Sequence, residues 1–516
     1  MEGSDENGTR ADASQVDDPN GGATTWDLVV IGGGSAGSAC AAEAIKLGHE
    51  RVLLLNDGEL GGLCILEGCM PTKTLLHPAD VVREVGHAER LGIDAQVNGV
   101  DMAALQERRA RLVARFQRAK IGGMESGGYT IEFGRARFVG PDEVEVTGPD
   151  GATRRVRSRA WLVSTGSKQH VPDTQGLGTP QPDGSDPVPY WTSREALLAD
   201  RVPRSLAIVG SGAIGLEFGV YFAALGTRVT LLSRSPILRR GEDPELSALY
   251  TRSLEHAGLK VQIGAALASV THDPERGDEP FEIEYWEEGH DERFRAERLL
   301  LATGRVANLD GIGLEAAGVE IANGMPVLDD CLRSTNPNVF FAGDATGDRL
   351  ILHTGNAEGR HVARNLKRHF AGEKLVAWRE RIPVSALFTA PPYAECGRTE
   401  HEARQAGVDV VSAKKEWANQ GRGIVMDTEP GTSFVKLVVE RPSARLVGCQ
   451  ILGPRADDLV HVISTAMHMG ATARDLVAMP WYHPTLSEAF IELARDVVFQ
   501  CDPIPEPVPV PDPTDP

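Results

Sequence analysis

Two stretches of the chain are written in the same pattern. WDLVVIGGGSAGSACAAEAIKLG begins at Trp26 and SLAIVGSGAIGLEFGVYFAALG begins at Ser205. Each reads as an apolar, β-branched run, a glycine cluster, a small-residue helix and a glycine that ends it. Each is followed by a second apolar run, RVLLLN from Arg51 and RVTLLS from Arg228. Strand, tight turn, helix and strand, twice over, leave an α/β fold with two parallel-sheet units. The turns carry GxGxxG, at Gly32, Gly34 and Gly37 and again at Gly210, Gly212 and Gly215. In such a turn the first glycine allows the sharp bend and the second lets backbone approach a pyrophosphate. The third admits close helix–strand packing, and the helix N-terminus offers N–H donors and the positive end of its dipole. One copy is a weak signal. Two copies, each between a strand and a helix, argue for two dinucleotide sites.

Two further strand-then-turn signals close these halves: LVSTGS, with Thr165 and Gly166, and LLATGR, with Thr303 and Gly304. NVFFAGDAT, from Asn338, reads as a buried strand ending at Gly343 and Asp344. Residues 172–190 are a Pro/Gly/Asp-rich surface loop. Past about residue 380 the pattern changes to alternating strands, SFVKLVVE and LVGCQILG, with two helical stretches, an α+β domain.

A chain of 516 residues has material for two to four domains. Its net charge of −20 argues against a nucleic-acid surface, which needs clustered Lys and Arg. No apolar run reaches the roughly 18–20 residues a bilayer demands, so no membrane partner is expected. Residues 1–24 are polar, acidic and Gly-rich, without the basic start and apolar centre of a signal peptide, and read as a disordered tail. Residues 501–516 alternate Pro with small or acidic residues and favour an extended polyproline II tail. Seven scattered cysteines make no disulfide scaffold, and a reducing cytoplasm is the simplest compartment.

Two of those cysteines, Cys64 and Cys69, lie close together in GGLCILEGCMPTK, Gly61 to Lys73. Taken alone, the pair could be redox-active, half of a metal site, or small core residues. Core burial is the default for Cys40, Cys331 and Cys449. Zinc would want two more Cys or His at ligand spacing, and none lies nearby, so no metal is expected.

With these pieces in order, the chain from about Trp26 to Val498 resembles the FAD-dependent pyridine nucleotide–disulfide oxidoreductases, the group of glutathione reductase, dihydrolipoyl dehydrogenase and mercuric reductase. The family's GGxCxxxxCxPxK is met by Gly61, Gly62, Cys64, Cys69, Pro71 and Lys73, its second flavin motif by Gly343 and Asp344, and its HPTxxE by His483, Pro484, Thr485 and Glu488. The resemblance implies two Rossmann-like domains, the first GxGxxG for FAD and the second for NAD(P)H, plus a C-terminal α+β dimerisation domain. The expected division is 25–171 and 305–378 for FAD, 191–304 for NAD(P) and 381–500 for dimerisation.

The resemblance also assigns roles. Cys69 would be the flavin-facing thiol and Cys64 the interchange thiol that meets a small disulfide substrate. His483, oriented by Glu488, would own the proton of the leaving thiol and reach the cysteines of the other subunit, so the active unit would be a homodimer. Lys73 and Glu217 would form an ion pair near the flavin. Asp344 would bind the ribityl chain, and Asn56 stands where a Glu usually binds the FAD ribose. For NAD an acid is expected where Ser233 stands; instead Arg234 follows, with Arg240 nearby, and arginine forks suit a 2′-phosphate. NADPH is therefore expected over NADH. Between the thiols, Leu63, Ile65, Leu66 and Glu67 depart from the family pattern, and Glu67 sets a carboxylate beside two thiols.

The expected activity is hydride transfer from NADPH through FAD and the Cys64–Cys69 disulfide to a small disulfide. Within the family the alternatives are a dihydrolipoyl dehydrogenase, which uses NAD, and a mercuric reductase, which carries a C-terminal cysteine pair where only Cys501 stands here. A thiol-independent flavoprotein transhydrogenase is the alternative from another class; the intact cysteines and His483–Glu488 weigh against it.

Overall fold

A computed structural model describes residues 25–181, 184–238, 243–380, 382–501 and 503. The two tails, but for Cys501 and Pro503, lie outside the described residues, as do Arg239 and Arg240. The chain forms two compact units.

The first unit comprises residues 25–66, 114–168 and 305–379. Its centre is a seven-stranded sheet built from β1 (Thr25–Ile31), β2 (Val52–Asn56), β3 (Thr130–Phe133), β4 (Arg135–Gly140), β5 (Glu143–Thr147), β6 (Thr153–Val163) and β7 (Val339–Phe341). The order is β3-β2-β1-β6-β5-β4, with β7 also paired to β6. β1, β2, β3, β6 and β7 pair in parallel, while β4–β5–β6 form an antiparallel extension. The parallel strands are near-continuous apolar runs because both faces are covered. Leu28, Val30, Leu54 and Leu162 pack on one side, and Val29, Leu53, Trp161 and Phe341 on the other.

Helix α1 (Ser35–Lys46) follows β1, and the one-turn α2 (Leu63–Leu66) follows β2. Helix α3 (Met102–Glu125) enters the unit with its C-terminal half, and α4 (Leu352–Phe370) lies along α1. Close approach of α1 and α4 requires Gly359, where a Cβ would collide with the Ala36 carbonyl.

The second unit comprises residues 67–113, 169–304 and 380–501. Its nicotinamide-type fold is a four-stranded parallel sheet in the order Leu259–Ile263, Arg228–Ser233, Ser205–Val209, Arg298–Leu301. Helix Ala213–Ala224 follows the first of these strands in the chain, and it is apolar nearly all round, as a helix buried on all sides must be. A three-stranded antiparallel sheet, Ala266–His272, Phe281–Glu287 and His290–Ala296, is attached. The C-terminal part is a five-stranded antiparallel sheet packed against helices Ala456–His468 and Ala489–Val498. Helix Cys69–His87 belongs here because Leu75 and Leu76 share one core with Phe218, Phe222, Tyr393 and Phe434.

Candidate active site

The repeat seen in the sequence is literal in the backbone. Gly32 N–H donates to Leu55 O at 2.8 Å, and Gly210 N–H to Leu232 O at 2.9 Å. Both glycines have φ above +100°, 108° and 113°, where other residues are strained. A Cβ on Gly37 would strike the Gly32 carbonyl, and one on Gly215 the Gly210 carbonyl. Gly34 and Gly212 differ in kind. A Cβ on Gly34 would meet nothing nearer than the Gly62 Cα at 4.0 Å, and one on Gly212 nothing within 4 Å. Packing does not require glycine at either position, and each is the N-cap of its helix without a side-chain cap. The first-turn N–H groups are thus open to an outside acceptor, which fits the pyrophosphate of FAD at the first cradle and of a nicotinamide dinucleotide at the second.

Around the first cradle, Thr165 Oγ1 donates to Asn308 O at 2.7 Å, and Gly166 holds a left-handed φ of 75°. Asp344 lies in the turn Gly343–Thr346, and its Oδ2 accepts from Ser167 Oγ at 2.6 Å. Arg305 Nε donates to the same hydroxyl at 2.8 Å. Asn56 is buried at the end of β2, where its Oδ1 accepts from Gly33 N–H at 2.9 Å. Its amide nitrogen donates to Gly58 O at 2.9 Å and Glu59 O at 3.3 Å. Both amide hydrogens are therefore used on the loop, which leaves only the oxygen's second lone pair for a ribose hydroxyl. Cys64 is half-buried on α2.

In the second unit, exposed Cys69 is the first residue of helix Cys69–His87, whose N-cap, Gly68, makes no side-chain cap. The thiol there stands at a helix N-terminus, the positive end of the helix dipole. Lys73 is one turn further on the same face. Its Nζ donates to both oxygens of Glu217, at 2.8 and 2.7 Å, and lies 4.6 Å from the centre of the Phe388 ring. Phe388 N–H donates to Glu217 Oε1 at 3.1 Å. The Glu217 side chain is 5% exposed and that of Lys73 28%. Glu67 has a counterion that its sequence context did not reveal: Arg194 Nε lies 3.3 Å from Glu67 Oε1.

His483 Nδ1 is 3.1 Å from both oxygens of Glu488. Glu488 also accepts from Thr485 N–H at 2.9 Å as part of a capping box, so the helix-cap role and the imidazole-orienting role coexist. The Thr485 N–H, with the His483 ring, holds the Glu488 carboxyl below its ordinary value. His483 is 77% exposed, and neighbouring Tyr482 is 84% exposed.

At the second cradle Ser233 is buried, and its Oγ is 2.7 Å from Ser211 Oγ. Arg234 is exposed; Arg240 lies outside the described residues. Gly304 has a φ of 114° with open space around it. Cys40 and Cys449 are core residues as expected, with burial pushing their thiols well up; Cys331, expected in the core, is instead only partly buried, because it sits on a surface turn beside Asp329. No group of three or more His, Cys, Asp or Glu placed so as to hold a metal ion occurs among the described residues. Sequence reasoning missed Ser167, Arg305, Phe388 and Arg194. Ser167 and Arg305 follow the two Thr-Gly pairs, which was the available signal; the other two are set by folding across long sequence gaps.

The pyridine nucleotide-disulphide oxidoreductase family matches residues 26–365, and its dimerisation domain matches residues 383–494. The chain is 32% identical to a dihydrolipoyl dehydrogenase of Thermus scotoductus, over 91% of this chain and 97% of that protein. It is 31% identical to a mercuric reductase of Bacillus cereus, over 90% of this chain and 70% of that protein. The fold is also that of the HOCl-induced flavoprotein disulfide reductase RclA from Escherichia coli in its Cu(II) complex. That match has a TM-score of 0.76 and 24% identity, over 92% of this chain and all of the other. The chain belongs to the pyridine nucleotide-disulphide oxidoreductases and is a flavoprotein disulfide oxidoreductase.

Proposed function

We propose that the protein reduces a small disulfide with NADPH, through FAD and a Cys64–Cys69 disulfide. The observation that carries this reading is one helix. Cys69 opens it, and Lys73, one turn on, is locked to Glu217 on the helix of the second dinucleotide fold. A redox thiol and the nicotinamide fold are thus joined through a fixed cation. Bound FAD would supply a two-electron carrier between nicotinamide and disulfide, and the Lys73 ammonium would favour negative charge on the reduced flavin.

The balance is NADPH plus a proton plus a disulfide giving NADP⁺ and two thiols. Two electrons open the Cys64–Cys69 bond, and the Cys64 thiolate then attacks the substrate disulfide, forming a mixed disulfide and expelling one thiolate. His483, oriented by Glu488, protonates that leaving group. Cys69 then attacks Cys64, which releases the second thiol and restores the internal disulfide. The open exposure of His483 and Tyr482 on a single chain, with the family's dimerisation domain, supports a homodimer in which each base serves the other subunit. We read residues 25–171 and 305–378 as the FAD domain, 191–304 as the nicotinamide domain and 381–500 as the dimerisation domain.

A second reading, dihydrolipoamide oxidation with NAD, is favoured by the names of several relatives. Ser233 argues against it, because NAD selection usually places an acid there. Anaerobic reduction with NADPH and with NADH, followed by flavin absorbance, separates the two. Oxidised glutathione, lipoamide and Hg(II) are then offered as acceptors. Faster reduction by NADPH and disulfide turnover abolished in Cys64→Ser are the expected results. Full turnover in Cys64→Ser would overturn the assignment.

A further inference from the structure

Ser167 and Arg305 have no part in the electron path from nicotinamide to disulfide. Their place is set by two chain segments tied together beside the first cradle. Ser164, just past β6, holds its Oγ 3.0 Å from Gly32 O. Thr165 Oγ1 donates to Asn308 O at 2.7 Å, and Asn308 N–H donates to Gly166 O at 2.9 Å. Residues 164–167 and 305–308 therefore form one platform, cross-linked by hydrogen bonds. Asp344 comes to it from β7. The preceding Gly343 abuts α1, where a Cβ would come within 2.9 Å of the Ala36 Cβ.

Proton counting fixes the direction of the chain these residues form. A guanidinium can only donate, and an ionised carboxylate can only accept. Arg305 Nε therefore donates to Ser167 Oγ at 2.8 Å, and the hydroxyl sends its one proton to Asp344 Oδ2 at 2.6 Å. Arg305 Nη2 donates to the Ser167 carbonyl at 2.6 Å, a second grip on the same residue that restrains the guanidinium. Each bond polarises the next, so this serine is a better donor than a lone hydroxyl. It is also a spacer. An arginine in direct contact with a carboxylate tends to form a fork that occupies both oxygens. With one hydroxyl interposed, only Oδ2 is used, and Oδ1 makes no hydrogen bond among the described residues.

We propose that Ser167 and Arg305 are positioning residues for the flavin, which hold the Asp344 carboxylate so that Oδ1 accepts from a hydroxyl of the FAD ribityl chain. The inference rests on the reading of Asp344 as the ribityl acceptor and goes beyond it by naming what aims that carboxylate. The device serves one part of the cofactor. The adenosine and pyrophosphate belong to the glycine cradle, which the Arg305–Ser167–Asp344 chain does not enter.

The test uses the full-length chain, stripped of flavin and refilled, with FAD and ADP as probes. ADP carries the adenosine and pyrophosphate but no ribityl chain. Ser167→Ala should raise the Kd for FAD about 20-fold, as loss of a hydrogen bond to a charged group implies, and leave that for ADP within about twofold. Ser167→Thr keeps the hydroxyl and should bind FAD within about threefold of wild type. Arg305→Lys cannot hold both serine atoms in the same way and should fall between. In an Asp344→Ala background, Ser167→Ala should add less than about twofold, because the serine acts through the aspartate. Thermal unfolding of each variant reports the fold; should Ser167→Ala misfold, Ser167→Thr against Ser167→Val carries the same comparison. Equal losses for FAD and ADP, or a Ser167→Ala that binds FAD as wild type does, would overturn the proposal. Failure of the parent reading looks different: Asp344→Ala would itself leave FAD affinity unchanged.

Discussion

Replacing Glu217 by Gln should loosen helix Cys69–His87 by a predictable amount. At 2.7 Å and an effective dielectric near 20, the gross attraction of Lys73 and Glu217 is about 6 kcal/mol. Most of that is offset by the desolvation of the two ions. Removing one partner of a fully buried pair costs roughly 3–5 kcal/mol, because the other charge is stranded. Lys73 is 28% exposed and retains the Phe388 ring, which together return about 1–2 kcal/mol. Gln can still accept from Phe388 N–H, so about 2–3 kcal/mol should be lost. Amide hydrogen exchange of the helix under native conditions then accelerates roughly 30- to 150-fold. The double variant Lys73→Met/Glu217→Leu should recover most of the protection, since an apolar pair of similar volume is often neutral. Less than about threefold acceleration in Glu217→Gln, or no recovery in the double variant, would refute the claim that this ion pair clamps the helix.

Other expectations are equally direct. Gly34→Ala should fold with ordinary thermal stability yet lose flavin affinity, whereas Gly37→Ala should fail to fold soundly because its Cβ strikes the Gly32 carbonyl; flavin content and thermal scans separate the two. Arg234→Ala should raise the KM for NADPH about tenfold and leave that for NADH nearly unchanged, as loss of one charge-assisted bond implies; an equal effect on both would remove Arg234 from 2′-phosphate recognition. In the C-terminal sheet, burial raises the Glu400 pKa, but bonds from Lys436, Ser412 and Arg404 outweigh it and bring it to about 2. A depressed carboxylate contributes its stability above about pH 4.5 and loses it as pH falls toward 2. Urea unfolding of wild type should therefore weaken over that window by about 1–2 kcal/mol more than that of Glu400→Gln, the full shift being reduced by solvent screening; parallel pH curves would contradict this.

The sequence spoke clearly where chemistry is local. The glycine cradles and the Thr-Gly pairs depend on residues a few positions apart, so spacing carried them, whereas the span from His483 to Glu488, just as short, was read through the family motif. Pairing across long gaps was legible only in part. Lys73 and Glu217 emerged through family resemblance, and a lone acid on an apolar helix was its physical trace. Arg194 left no such trace, because its partner Glu67 is fixed by how the chain folds back. Asn56 shows a subtler limit: its identity was plain, but the use of its amide hydrogens on Gly58 and Glu59 depends on loop geometry. The partition into compact units likewise follows shared side-chain packing, as Leu75 and Leu76 against Phe218 illustrate, and not chain order.

The two cradles share a backbone plan so closely that something must keep their cofactors apart. Neither second strand ends in an acid: one closes on Asn56, the other on Ser233. The next residue is Asp57 in the first and Arg234 in the second, both exposed. A dinucleotide with an extra phosphate on its adenine ribose would be repelled at one doorway and drawn in at the other. Duplicated architecture, loaded with two different cofactors, can be sorted by the sign of a single charge.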